Sequence, residues 1–185
     1  MRKVYILAIC LTLLCSLTAC GQAIETLTLT GITGLWFTEE MPGDGGCPDP
    51  GSLRVGRTYD GKDIFSLVQV PPIEESREVV EAWLRLKITE NNGAQALRVG
   101  PVNGPWEAGV TRGEVFGLVG ETRPARLALA SGGWLQVDVT DLVKNWLGSG
   151  ADLCLALFEG SDSTETVFFA GEGEDEPRLE IIIQK

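Results

Sequence analysis

From Val80 to Ile88 the chain alternates strictly: Val80, Ala82, Leu84, Leu86 and Ile88 are interleaved with Glu81, Trp83, Arg85 and Lys87. A period of two puts an apolar row and a polar row on opposite faces of an extended strand, an arrangement a helix cannot produce. A single two-faced ribbon is not stable in water, so the rest of the chain has to supply strands that cover the Leu84 and Leu86 side.

Short β-like runs recur along the sequence. The Glu25-Thr-Leu-Thr-Leu-Thr30 segment alternates with β-branched residues, and further strands are expected at Leu35 to Glu39, Ser52 to Gly56, Lys62 to Val70 and Ala94 to Val99. The pattern continues at Glu114 to Val119, Arg126 to Ala130, Trp134 to Val139, Asp152 to Phe158, Thr166 to Ala170 and Arg178 to Ile183. Turn-forming residues separate most of these runs; Met41 to Gly51 alone holds four Gly and three Pro, a composition that cannot continue a ladder. Glu74 to Glu78 reads as a solvated connection. Many short strands with regular turn signals point to an all-β antiparallel sandwich of jelly-roll-like type.

One segment has a different period. Val139, Leu142, Val143, Trp146 and Leu147 fall at i, i+3, i+4, i+7 and i+8, which places them on one helical face. Asp138 or Thr140 can cap its start and Gly148 its end, so one short helix over about 140–147 is expected to close the open end of the sandwich with Trp146 inside. No βαβ alternation is present, which disfavours an α/β fold.

The N-terminus has the form of an export signal. Arg2 and Lys3 precede an apolar run from Val4 to Leu17 that is too short to span a bilayer comfortably. The run ends in Leu17-Thr-Ala-Cys20-Gly21, which looks like a bacterial lipobox, so residues 1–19 are expected to be removed and Cys20 to be lipidated. Several acyl chains hold a protein stably at a membrane where one does so only marginally. The expected organisation is a signal peptide at 1–19, a lipid-anchored tether at 20–24 and one domain at 25–185, held at the cell envelope outside the cytoplasm.

Removing Arg2 and Lys3 takes the formal charge from −11 to −13, with no concentrated basic patch, so nucleic acid is a poor partner. Histidine is absent, which excludes Ser-His-Asp and Cys-His catalysis and His-ligated zinc. The expected protein is therefore not an enzyme. Cys10 and Cys15 leave with the signal, so Cys47 and Cys154 remain either as a disulfide pair or as a turn residue and a small buried apolar residue.

Several constellations could bind a ligand. Alternation turns Trp83 away from Leu84 and Leu86 and sets it beside Arg85 and Lys87; Trp134 is turned outward in the same way by Leu135 and Val137. An outward indole can stack a sugar ring, or it can be covered by a neighbouring strand. Trp36 and Trp106 lie near loop-rich segments and could extend such a platform. Acidic residues gather at Glu159, Asp162 and Glu165, a group that could hold structural calcium or be a solvated face. No other cofactor is implied.

In order along the chain, Gly51-Ser-Leu-Arg-Val-Gly56, Asp63-Ile-Phe-Ser-Leu-Val68 and Ala82-Trp-Leu-Arg-Leu-Lys-Ile88 are followed by Trp134-Leu-Gln-Val-Asp-Val-Thr-Asp-Leu-Val-Lys-Asn-Trp146. The series ends in Leu153-Cys-Leu-Ala-Leu157, Phe168-Phe-Ala170 and Pro177-Arg-Leu-Glu-Ile-Ile182. These residues resemble the DNRLRE domain family, a jelly-roll-like module of microbial cell-surface proteins. The family's acidic-aromatic segment is matched only loosely by Trp106-Glu-Ala-Gly-Val-Thr111, and its naming hexapeptide is missing. The resemblance implies a surface β-sandwich that binds carbohydrate in some members and is structural or adhesive in others. The expected function is thus a membrane-anchored, non-catalytic module recognising a polysaccharide. The alternative is a purely structural lipoprotein, or one that binds another envelope protein, without a glycan site.

Overall fold

The computed structural model describes residues 23–38, 52–58, 60–70, 72, 75, 77–91, 96–104, 106, 110–125, 127–147, 149, 151–160, 166–170 and 173–184. Residues 1–19, expected to be a signal, and Cys20, Cys47, Gly148, Asp162 and Glu165 lie outside them. Twelve strands occupy the described residues, and all their pairings are antiparallel. In chain order they are β1 (Ile24–Leu29), β2 (Thr33–Thr38), β3 (Ser52–Arg57), β4 (Asp63–Val70), β5 (Val79–Asn91) and β6 (Leu97–Pro101). The others are β7 (Arg123–Pro124), β8 (Leu127–Ala130), β9 (Trp134–Asp138), β10 (Leu153–Glu159), β11 (Thr166–Ala170) and β12 (Arg178–Gln184). Helix α1 spans Arg112–Leu118 and helix α2 spans Thr140–Trp146.

The strands form a sandwich. A front sheet runs β1-β12-β5-β9-β8. A back sheet runs β11-β3-β4-β10-β6-β7, with β2 also paired along β4. β5 is thirteen residues long and belongs to both: Val79 to Lys87 pair with β12 and β9, and Ile88 to Asn91 pair with β11.

The alternation of β5 has the predicted consequence in its middle. Ala82, Leu84 and Leu86 are fully buried between the sheets, with Val137 on β9 and Leu179, Ile181 and Ile183 on β12. At the start of β5 the register differs from the sequence reading. A shift between Ile182 and Ile183 pairs Ile183 with Val79, so Val79 is buried and Val80 is exposed. One extra residue at a bulge moves the neighbouring side chain to the other face.

β4 and β10 are buried on both faces, which explains why they read as near-continuous apolar runs. Val68, Val70, Leu153, Leu155 and Leu157 join the main core. Phe65, Leu67, Cys154 and Ala156 face the other way into a second apolar cluster with Leu35, Phe37, Val102, Trp106 and Val115. β2 passes close to β3 at Gly34, where a Cβ would run into the buried Leu53 side chain.

Helix α1 lies over this second cluster and corrects two expectations: Glu114 to Val119 is mostly helix and not strand, and the fold has two short helices and not one. Its start is a capping box: the Glu114 amide donates to the Thr111 hydroxyl at 3.3 Å, and the Thr111 amide donates to the Glu114 carboxylate at 2.9 Å. Val115 is buried beneath it, and backbone bonds from Asn103 to Leu118 (2.8 Å) and from Gly120 to Pro101 (2.8 Å) attach it to β6.

α2 is the helix the 3.6-residue period predicts, with Val143 and Trp146 buried in the main core. Its N-cap is Val139, without a side-chain cap, and not Asp138 or Thr140; Asp138, one residue earlier, accepts from the Thr140 amide at 3.1 Å and hydroxyl at 2.7 Å. The Thr140 hydroxyl in turn accepts from the Ala82 amide at 3.0 Å, which ties the helix to β5. The connection before β5 is anchored as well as solvated: Arg77 donates to both Glu75 oxygens and to Glu25 of β1, and the Glu75 side chain is almost buried.

Candidate functional site

Antiparallel partners share a face, so the pairing register defines the outer surface of the front sheet. Trp83 lies between Asp138 and Glu180, Arg85 between Gln136 and Arg178, and Lys87 beside Trp134. Trp83 and Trp134 therefore stand on one face, four residues apart along adjacent strands, which is about 14 Å at ordinary strand rise and spacing. Both are half-buried.

Arg85 and Gln136 lie between the two indoles, and Glu180 flanks Trp83 on the β12 side. Arg85 pairs with Glu180 at 2.6 Å, and Gln136, with its amide oxygen turned towards Arg85, accepts from Nη2 at 2.8 Å. The Trp83 Nε1 donates to Glu81 at 3.1 Å, which fixes the indole on the same face. Trp134 has cations on its ring: the Arg178 guanidinium carbon is 5.0 Å from the centroid and Lys87 Nζ is 5.8 Å away. Lys87 also donates to the Gly132 carbonyl at 2.6 Å. The resulting surface is broad, with apolar rings at two positions and hydrogen-bonding groups between them. Such a surface can hold an extended polar ligand that also has apolar faces.

The other two tryptophans considered for this platform do not reach it. Trp36 pairs with Ser66 on β2 of the back sheet and is buried, with the Arg54 guanidinium 4.3 Å from its ring centroid. Trp106 is buried in the second apolar cluster beneath α1. Trp36 is covered by Arg54 of β3, and Trp106 packs with Val115 of α1 and with the back-sheet residues Phe65 and Leu67. The Nε1 atoms of Trp36 and Trp106 have no hydrogen-bond partner among the described residues.

Cys154 is a buried free thiol on β10, while Cys47 lies outside the described residues. Burial, with Asp152 adding to it, pushes the Cys154 thiol up to about 11. Of the acidic group considered for calcium, Glu159 ends β10, and Asp162 and Glu165 lie outside the described residues. Among the described residues no three His, Cys, Asp or Glu side chains cluster as metal ligands. Nor is any described helix long and apolar enough to cross a membrane.

One group of functional interest was missed in the sequence: the polar partners of the two indoles. Arg178, Glu180 and Gln136 come from β9 and β12, and only the register of those strands against β5 brings them beside Trp83 and Trp134. The alternation within Trp134 to Val139 and Arg178 to Ile183 gave their facing but not their neighbours. No protein-family model matches this chain, and no curated protein matches it in sequence.

Proposed function

We propose that this protein is a lipid-anchored envelope module, without catalytic activity, whose front sheet recognises a polysaccharide. The observation that carries the reading is the shared outer face of Trp83 and Trp134, about 14 Å apart at ordinary strand geometry, with Arg85 and Gln136 between them and Glu180 flanking Trp83 from β12. Indole faces pack against the C–H faces of sugar rings, and planar polar side chains exchange hydrogen bonds with ring hydroxyls. An open face about 14 Å across suits a stretch of polymer better than a single small molecule. The lipobox at Leu17 to Gly21 and the resemblance to DNRLRE domains support an address at the cell surface, and the acidic charge disfavours nucleic acid.

The competing reading is a structural or protein-binding lipoprotein, favoured by the two cations that already occupy the Trp134 ring. Tryptophan-fluorescence titrations with neutral polysaccharides, guided by a glycan array, separate the two. Stacking worth about 0.5–1.5 kcal/mol per ring predicts that a Trp83→Ala/Trp134→Ala double variant binds about tenfold more weakly or worse. A flat response from the unaltered protein across the array removes the glycan reading in favour of the structural one. Mass spectrometry of the native N-terminus should find diacylglyceryl on Cys20; an unmodified or uncleaved N-terminus defeats the anchor.

A further inference from the structure

On the opposite side of the molecule, a cavity of about 340 Å³ opens between α1 and the outer face of the back sheet. Its apolar wall is formed by Ile64, Phe116, Val119 and Phe158. Phe116 and Phe158 meet edge to face at 6.1 Å and both contact Phe65, while Phe116 remains 43% exposed. From the sequence only Glu159 was considered for a ligand here, as part of a calcium group; the cavity itself is assembled from five separate elements.

The polar end is built around Arg98. Its Nε donates to the Thr122 hydroxyl at 3.2 Å and its Nη2 to the Thr122 carbonyl at 2.7 Å, which hold the guanidinium in one plane. The close approach of Thr122 depends on Gly100, since a Cβ there would lie 2.9 Å from Thr122 Cγ2 and 3.2 Å from its Cα. No carboxylate pairs with Arg98 among the described residues. The neighbouring Arg57, in contrast, is bound to Asp63 at 2.8 Å. A guanidinium fixed in orientation, without a counter-ion and beside an aromatic wall, is suited to charge-assisted bonding with an anion.

We propose that this cavity binds a small monocarboxylate carried on a flat hydrocarbon ring. The carboxylate accepts from the Arg98 donors that Thr122 leaves unused, and the ring packs against Phe116 and Phe158 in the offset or edge geometry that aromatic rings prefer. Asp63, already paired with Arg57, and Glu159 also line the cavity. This site is independent of the tryptophan face, and either can fail without the other.

Benzoate is a suitable probe, used in ligand-observed NMR titrations of the full chain with benzyl alcohol as the uncharged control. Benzoate should bind and benzyl alcohol should bind at least about tenfold more weakly. Arg98→Gln should weaken benzoate by about tenfold or more and Phe116→Ala by several-fold, while the Trp83→Ala/Trp134→Ala variant leaves it unchanged. Arg98→Lys, which keeps the charge but loses the planar fork, provides a second reading if Arg98→Gln does not fold. Equal binding of benzyl alcohol, or full benzoate affinity in the Arg98 variants, overturns the assignment. Displacement of benzoate by glucuronate at equal concentration overturns the hydrocarbon-ring part of it.

Discussion

Ser66 is a hydroxyl buried completely inside an apolar sheet, and it stays there because both of its hydrogen-bonding capacities are met by one neighbour. It accepts from the Arg54 amide at 2.9 Å and donates to the Arg54 carbonyl at 2.7 Å, linking β4 to β3. Ser66→Ala leaves two buried backbone groups without partners, so it should destabilise the fold by about 1–3 kcal/mol in chemical denaturation; an unchanged midpoint would show that water replaces the hydroxyl. Cys154 gives a pH-dependent prediction. Its thiol is pushed up to about 11 from an ordinary 9.0, so its contribution to stability is complete below pH 9 and is lost as pH rises towards 11. Melting curves across that window should show a steeper alkaline decline in the unaltered protein than in Cys154→Ala. At this scale the sequence was informative wherever facing depends on neighbours along the chain, as for Trp83 and Trp134. It was silent for Trp36 and Trp106, which lie next to loop-rich segments without alternation and are buried by tertiary packing, Trp36 against Arg54 and Trp106 against Phe65, Leu67 and Val115.

The two helices show how the same kind of signal can be read or overlooked. Along α2, five apolar residues repeat at helical spacing and the register is unmistakable. Along α1, the pattern is shorter: Val115, Leu118 and Val119 stand at i, i+3 and i+4, while Gly113 and Gly117 lower helix propensity. The signal that could have identified it is Thr111-x-x-Glu114, a capping-box sequence ahead of an apolar pair. Because α1 contains two glycines, its stability depends on that cap and on the cluster beneath it. Hydrogen bonds from the Thr111 backbone, then its side chain, hold the Glu114 carboxyl below the usual glutamate range. That contribution is present above the ordinary glutamate pKa and fades as pH falls through the lowered value. Thr111→Ala should cost about 0.5–2 kcal/mol, as threonine caps do. It should also increase dye binding to Phe65 and Leu67 as α1 loosens; if stability and dye binding are both unaffected, the cluster and not the cap holds the helix.

At the level of the whole molecule, period-two patterning together with short apolar runs bounded by turn residues was enough to place eleven of the twelve described strands approximately. The two-residue β7 was missed, since so short a segment has no period to read. The layering of the back sheet was not evident either: a strand buried on both faces carries no alternation, and Leu155 faces one interior while Cys154 faces the other only because of what packs on each side. The candidate sites follow the same division. The tryptophan face arises from one repeating pattern on two neighbouring strands, whereas the Arg98 cavity has no local signature.

β5 makes the two layers mechanically one body. A strand that donates one end to each sheet cannot leave either without disturbing the other, so the sandwich should open as a single cooperative unit and not by separation of its halves. Hydrogen exchange should find the amides of Ala82, Leu84 and Leu86 among the slowest in the protein, exchanging only with global unfolding. A continuous spine of this kind carries load from one layer to the other, so a force applied to the outer face of the front sheet is borne by the back sheet as well.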